Sequence, residues 1–278
     1  MSDPNETFSD PGYDPSGDLG VVHEKIAATL VPGPKYVISS AMLPPVGMQG
    51  IPSDLGAPGS CAAWASTYGL ATAAAARAGN YNPRTSDVQA SPAFIYIQVI
   101  GIAAPPCKGS AMKSYFAILE ETGTPNLWSA PYFPNCLDLV NTYHDPPNPP
   151  ACDLSFKRPQ PTPIECSDAA SIKQALSQNR PVAYGTRLYN DFGAYRGAPA
   201  PYVGSGTPKI GKDGKPSRHC MMIIGYDDTM PYTNRKGKQQ KGAYYVQNSF
   251  GIGWGASGYF WIAYESYLDL METTCFAY

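Results

Sequence analysis

The sequence predicts an α+β fold, with a helical first half and a sheet-forming second half facing each other across a cleft. Three observations predict it. Alanine-rich patterning from Ser60 to Ala78 marks a long helix, and two further helical patterns follow it. Beyond residue 180, four short runs rich in β-branched and aromatic residues read as strands. The chain of 278 residues, 43% hydrophobic and 15% charged, can bury a substantial core.

Taken in order, residues 1–20 carry five carboxylates and no basic side chain, and read as a disordered acidic tail. Residues 21–42 read as a short N-terminal extension. Val21 to Val31 patterns as one amphipathic helix that breaks at Pro32-Gly-Pro34. Such a helix either ties down the terminus or lies over the cleft. The long helix ends at Gly79-Asn80. Ser91-Pro92 opens a second helix through Ile100, and Ser110 to Thr122 forms a third, stopped by Gly123. Residues 130–166 are Pro-rich and read as irregular. Ser167-Asp168 then caps a helix from Ala169 to Gln178. Strands are expected over Pro181–Tyr189, Cys220–Tyr226, Gly242–Gln247 and Gly258–Ala263. The main domain is expected over 43–278, with a helical lobe at about 50–130 and a sheet lobe at about 131–278.

A formal charge of −2 gives no reason to expect nucleic acid as a partner. No apolar run approaches the ~18 residues that cross a bilayer, so no membrane association is expected. The start, Met1-Ser-Asp-Pro-Asn-Glu, lacks the basic and apolar regions of a secretion signal. A cytoplasmic location, or export by a dedicated machine, is the expectation. A monomer without cofactor or metal is expected as well. None of the seven cysteines forms a C-x-x-C pair, so structural zinc has little support. Six cysteines allow 15 pairings, and spacing does not choose among them. A disulfide within the Pro-rich stretch from Cys136 to Cys166 is expected, since long loops gain most from a staple.

Three residues carry the chemistry. Cys61 opens the long helix after Gly56-Ala-Pro-Gly-Ser60, where unpaired N–H groups and the helix dipole favour thiolate over thiol. Of the three histidines, only His219 stands at the mouth of a strand, where it can be held rigidly against a nucleophile. Asn248 ends a further strand before a Gly-rich turn, and can accept the ring N–H of the base and set its tautomer. Trp254, in that turn, can shield the hydrogen bond from water.

In this order the segments resemble the papain (C1) family of cysteine proteases, in a divergent, bacterial-type branch. Gly59-Ser-Cys61, His219 through Gly225-Tyr226, and Asn248-Ser-x-Gly-x-Gly-Trp254-Gly-x-x-Gly-Tyr259 carry the resemblance, from about Leu43 to Tyr264. Cys107-Lys-Gly109-Ser110 is similar to the family's glycine-containing groove wall. The resemblance implies a two-lobed fold, a helical left lobe and a β-barrel-like right lobe with the cleft between them. It implies a peptide or protein substrate, amide cleavage through an acyl-enzyme, and a groove lined by Lys108, Gly109, Ser110, Ser217, Arg218 and Trp254.

The departures from the family are specific. Leu55 stands six residues before Cys61, where the family has the Gln that completes the oxyanion hole. Gln49 is the nearest substitute in sequence. Pro58 replaces a cysteine, which leaves the matched Cys107 free or paired elsewhere. Ala62 and Phe250 stand at positions where the family has Trp. Arg218, beside the histidine, either disfavours imidazolium or selects an acidic substrate side chain. About 40 residues precede the match, so the family's long inhibitory pro-domain is not expected, and control would fall to the short Val21–Val31 segment or to delivery and location. Leu55 leaves two alternatives to peptide hydrolysis. One is an impaired papain-fold protein that binds peptide or protein; the other is deamidase, isopeptidase or acyl-transfer chemistry on the same triad.

Overall fold

The computed structural model describes residues 12–29, 31–49, 57–101, 107–211 and 213–278. The first helix, α1, begins at Cys61 and runs without a break through an α turn (Cys61–Ala63), a π-helical run (Trp64–Ala71) and an α segment (Thr72–Gly79). Its alanines let neighbouring elements approach closely, and nearly all of the helix is buried. At Gly69, which has no side chain, the Met222 sulfur of the sheet packs against the helix backbone. Ser66 Oγ donates to the Ala62 carbonyl at 2.6 Å within the widened turns. Asn80, in left-handed conformation at φ 50°, ends the helix.

Helix α2, Pro92–Ile100, starts as expected, with Ser91 Oγ accepting from the Ala93 N–H at 3.2 Å. Helix α3, Met112–Glu121, begins two residues later than its pattern suggested. The Pro-rich stretch contains a helix after all: α4, Cys136–Tyr143, capped by Asn135, whose side chain accepts from Leu137 and Asp138. That cap outweighs the surrounding prolines, none of which falls inside the helix. Helix α5, Ala169–Ser177, is capped by Asp168, and α6 spans Tyr264–Leu270.

The strands are β1 (Lys35–Val37), β2 (Thr162–Glu165), β3 (Val182–Arg187), β4 (Arg218–Thr233), β5 (Gln239–Gln247), β6 (Tyr259–Ala263) and β7 (Met271–Ala277). They form one antiparallel sheet in the order β2-β7-β3-β4-β5-β6, with β1 on the far part of β4. The four expected strands are β3 to β6. β1, β2 and β7 lack a clear pattern, because their role is to pair with strands already formed. The helices and this sheet bury one continuous core between them.

Two disulfides form, Cys107–Cys136 and Cys166–Cys275. The staple expected inside the Pro-rich stretch is therefore corrected: its two end cysteines reach outward. Pairing of β2 with β7 sets Ile164 opposite Cys275, which brings Cys166 within reach. Cys61, Cys152 and Cys220 remain free thiols.

The N-terminal expectations also change. Within Val21–Val31 the described residues are not helical. The segment runs along the sheet lobe, where the Glu24 N–H donates to the Pro163 carbonyl and the Ile26 N–H donates to Ser171 Oγ. Strand-edge and side-chain partners satisfy its backbone, so a helix offers nothing more. Within the acidic tail, residues 12–20 are ordered and include a 3₁₀ turn, Pro15–Asp18; residues 1–11 lie outside the described residues.

Gly258, at φ +89°, closes the turn between β5 and β6, and its carbonyl accepts from the Asn248 N–H. A Cβ there would sit 2.3 Å from Val46 Cγ1. Gly258→Ala is expected to destabilise the protein by about 1–3 kcal/mol. Chemical denaturation checks this through a lower midpoint at unchanged slope.

Candidate active site

Three elements bring the expected residues together. The start of α1 carries Cys61, the start of β4 carries His219, and the residue after β5 is Asn248. All three are buried. His219 Nε2 lies 2.7 Å from Asn248 Oδ1. The Ser249 backbone N–H donates to the same Oδ1 at 2.7 Å. A backbone N–H only donates, so that atom must be the amide oxygen, and His219 Nε2 must carry the proton. This leaves Nδ1 as the nitrogen open to the Cys61 side; it has no hydrogen-bond partner among the described residues.

The electrostatics follow from that arrangement. Burial by itself pushes the Cys61 thiol up. Hydrogen bonds from Cys220 and His219, together with the His219 charge, outweigh burial and bring it down to about 6. Cys220 is pushed up by burial and by the neighbouring Cys61, so one thiolate is held where two sulfurs meet. The ring of Phe250 stacks on His219 with centroids 4.6 Å apart. Phe250 therefore performs the shielding expected of Trp254. Trp254 itself is fully buried behind Phe192 and Phe250, with its Nε1–H donating to the Phe192 carbonyl, and offers no surface to the groove.

Leu55 lies outside the described residues. Gln49 lies within them, is buried, and is built into the site. Its N–H donates to the Ser249 carbonyl at 2.7 Å, and its Oε1 accepts from Ser249 Oγ at 3.0 Å. Its Nε2 reaches the Pro58 carbonyl at 3.4 Å. Residues 47–49 thus pair with 249–251 as a short ladder beside the reacting groups.

The opposite wall is Lys108-Gly109-Ser110, and it is occupied. Residues 12–20 form a strap across it. The Ser110 N–H donates to the Gly12 carbonyl at 3.1 Å, and the Asp14 N–H donates to the Ser110 carbonyl at 3.2 Å. Gly12, Gly59 and Gly109 approach so closely that a Cβ on Gly12 would sit 2.1 Å from Gly59 Cα. The Tyr13 ring fills the space above Gly185, and its hydroxyl donates to Asp18 at 2.9 Å. Asp18 in turn accepts from the Met112 and Lys113 N–H groups at the start of α3, at 3.1 and 2.9 Å.

Of the other expected groove residues, Ser217 is fully buried, and its Oγ has no partner among the described residues. Arg218 lines the same cavity as Gly12 and Lys108, and its Nε donates to Glu272 at 2.9 Å. That ion pair moderates the repulsion expected between Arg218 and an imidazolium. Ser249, Cys220 and Tyr13 were not singled out from the sequence. Ser249 follows the asparagine directly, whereas nothing local marks Tyr13 as a pocket-filling residue.

A model of the papain family of cysteine proteases matches residues 52–276. The chain belongs to that family. Among solved structures it resembles xylellain, a cysteine protease from Xylella fastidiosa, at 19% identity and a TM-score of 0.64, covering 98% of this chain and 97% of that one. Procathepsin L 3 from the larval midgut of Tenebrio molitor gives 17% identity and a TM-score of 0.61, with 99% and 76% covered. The proform of Amb a 11, a ragweed pollen cysteine protease, gives 20% and 0.58, with 97% and 74% covered. No curated sequence matches. Fold and family together support a thiol peptidase.

A Cys61 thiol lowered to about 6 is mostly thiolate at neutral pH, whereas burial raises Cys152 above the ordinary thiol value. Alkylation followed peptide by peptide should therefore rise for Cys61 through pH ~6 and for Cys152 above pH ~8.5. In His219→Ala the Cys61 profile should shift toward the ordinary thiol value. A Cys61 profile identical to that of Cys152 would refute the ion pair.

Proposed function

We propose that this papain-family chain hydrolyses peptide bonds through Cys61, His219 and Asn248. The single observation that carries the reading is the shared Asn248 oxygen. By accepting from both Ser249 and His219, it leaves the second ring nitrogen to the nucleophile. The Cys61 thiolate attacks the amide carbonyl, and the His219 imidazolium gives its proton to the departing amine as the C–N bond breaks. Water then attacks the thioester, His219 takes a proton from it, and the sulfur leaves as thiolate.

Gln49 supplies the side-chain donor to the developing oxyanion, beside the Cys61 backbone N–H. With Oε1 held by Ser249 Oγ, the amide is oriented, and its nitrogen end, which also reaches the Pro58 carbonyl, is the end that donates. The Leu55 departure then costs no catalytic donor, and turnover is favoured over a peptide binder. The strap, rather than Val21–Val31, is the chain's own occupant of the groove, and it keeps substrate from the Gly109–Ser110 wall.

Gln49→Ala should lower kcat by roughly 10²–10³-fold while leaving Cys61 alkylation intact. Loss of less than threefold would remove Gln49 from the mechanism. Tyr13→Ala should raise kcat/KM severalfold on a short peptide amide, because the strap loses its buried anchor. An unchanged rate would mean that the strap does not compete with substrate.

A further inference from the structure

Apart from the strap, whose residues do not line it, lies a second cavity of about 560 Å³. Met48, Trp64, Leu127, Trp128 and Tyr132 form its apolar walls. Trp128 is 75% exposed and Met48 is 69% exposed. Large apolar side chains left open around a concavity mark a surface that receives something. No ionisable acid or base stands among the described lining residues apart from tyrosines, so the guest is apolar.

Two wall residues of the cavity are tied to residues that flank the active site. Tyr132 pairs with Ser60, the residue before the nucleophile, at 2.7 Å, and its hydroxyl reaches the Gln49 carbonyl at 3.4 Å. Met48 bridges to Phe250, whose ring stacks on His219. The far wall is held by its backbone: the Leu127 N–H donates to the Gln89 carbonyl at 2.7 Å and the Trp128 N–H to the Ser86 carbonyl at 3.0 Å. A wall fixed in this way is preorganised for a ligand.

The chemistry decides which half of the substrate lies here. When an amide is cleaved, the acyl half stays on Cys61 while the amine half takes its proton from His219. The amine half therefore departs on the His219 and Phe250 side, which is the side the cavity joins. The acyl-side wall at Gly59, Gly109 and Ser110 is the one the strap covers.

We propose that this cavity binds a large apolar or aromatic side chain from the amine-side half of the substrate, and so selects which bonds are cut. The proposal rests on the peptidase reading above. Because no residue of the strap lines the cavity, the intact chain offers it to ligand.

The test uses the intact chain and internally quenched peptides with one common acyl half. Their amine halves carry Gly, Leu, Phe or Trp at each of the first three positions. A matching acyl half ending in aminomethylcoumarin has no amine-side residue. The ratio of kcat/KM between apolar and Gly peptides does not depend on the fraction of chains held by the strap. That ratio should reach about tenfold at one position. It should fall to within twofold in Ser86→Phe, which fills the cavity, and drop clearly in Trp128→Ala, with thermal melting confirming that both variants fold. No preference in the wild type, or a ratio unchanged in both variants, overturns the proposal. If wild type cleaves neither the coumarin amide nor any peptide, the peptidase reading has failed and binding decides the cavity instead. Short peptides with a free amino end and a Phe or Leu should then change tryptophan fluorescence in wild type but not in Ser86→Phe, whose cavity is filled. Absence of that difference overturns the proposal.

Discussion

The hydrogen bond from His219 Nε2 to Asn248 Oδ1 is the contact around which the rest of the site is arranged. It exists only because β4 and β5 pair in register, so that the residue beginning one strand meets the residue following the other. A stacked phenylalanine and a buried aromatic cluster keep water from competing for it. Against the burial that would raise it, Cys220 and His219 bring the fully buried Cys61 thiol below its ordinary value. A charge buried to that degree is stable only where hydrogen bonds and an opposite charge replace the lost solvation.

The same loop does several jobs at once. Residues 47–49 pair with 249–251, which seats Gln49 against Ser249 and positions Met48 at the edge of the outer cavity. Across the groove, three glycines permit the strap to lie flat on the wall, and Asp18 anchors it to the start of a helix. The site is thereby flanked by one occupied surface and one open one.

Much of the fold was legible along the chain. Ala-rich patterning located the central helix, and β-branched runs located β3 to β6, because these elements carry their own local signal. Cys61, His219 and Asn248 were legible because each sits at the end of such an element. The π-helical run was not, since its register is set by packing on Met222 and its neighbours rather than by propensity. The edge strand β1 is three residues long, and no three-residue pattern can announce itself. Val21–Val31 misled because amphipathic spacing does not reveal that a sheet edge will satisfy the backbone instead.

By itself the sequence determined the fold class, the long helix and the places of Cys61, His219 and Asn248 at the ends of their elements, all of which depend on residue type and local order. The tertiary structure alone decided the disulfide partners, the insertion of Gln49 beside Ser249, the shielding of His219 by Phe250 rather than Trp254, and the seating of Tyr13 in the groove. Each of these is a contact between residues far apart in the chain. Its energy comes from burial and from matched donors and acceptors, and neither exists until the sheet has closed against the helices.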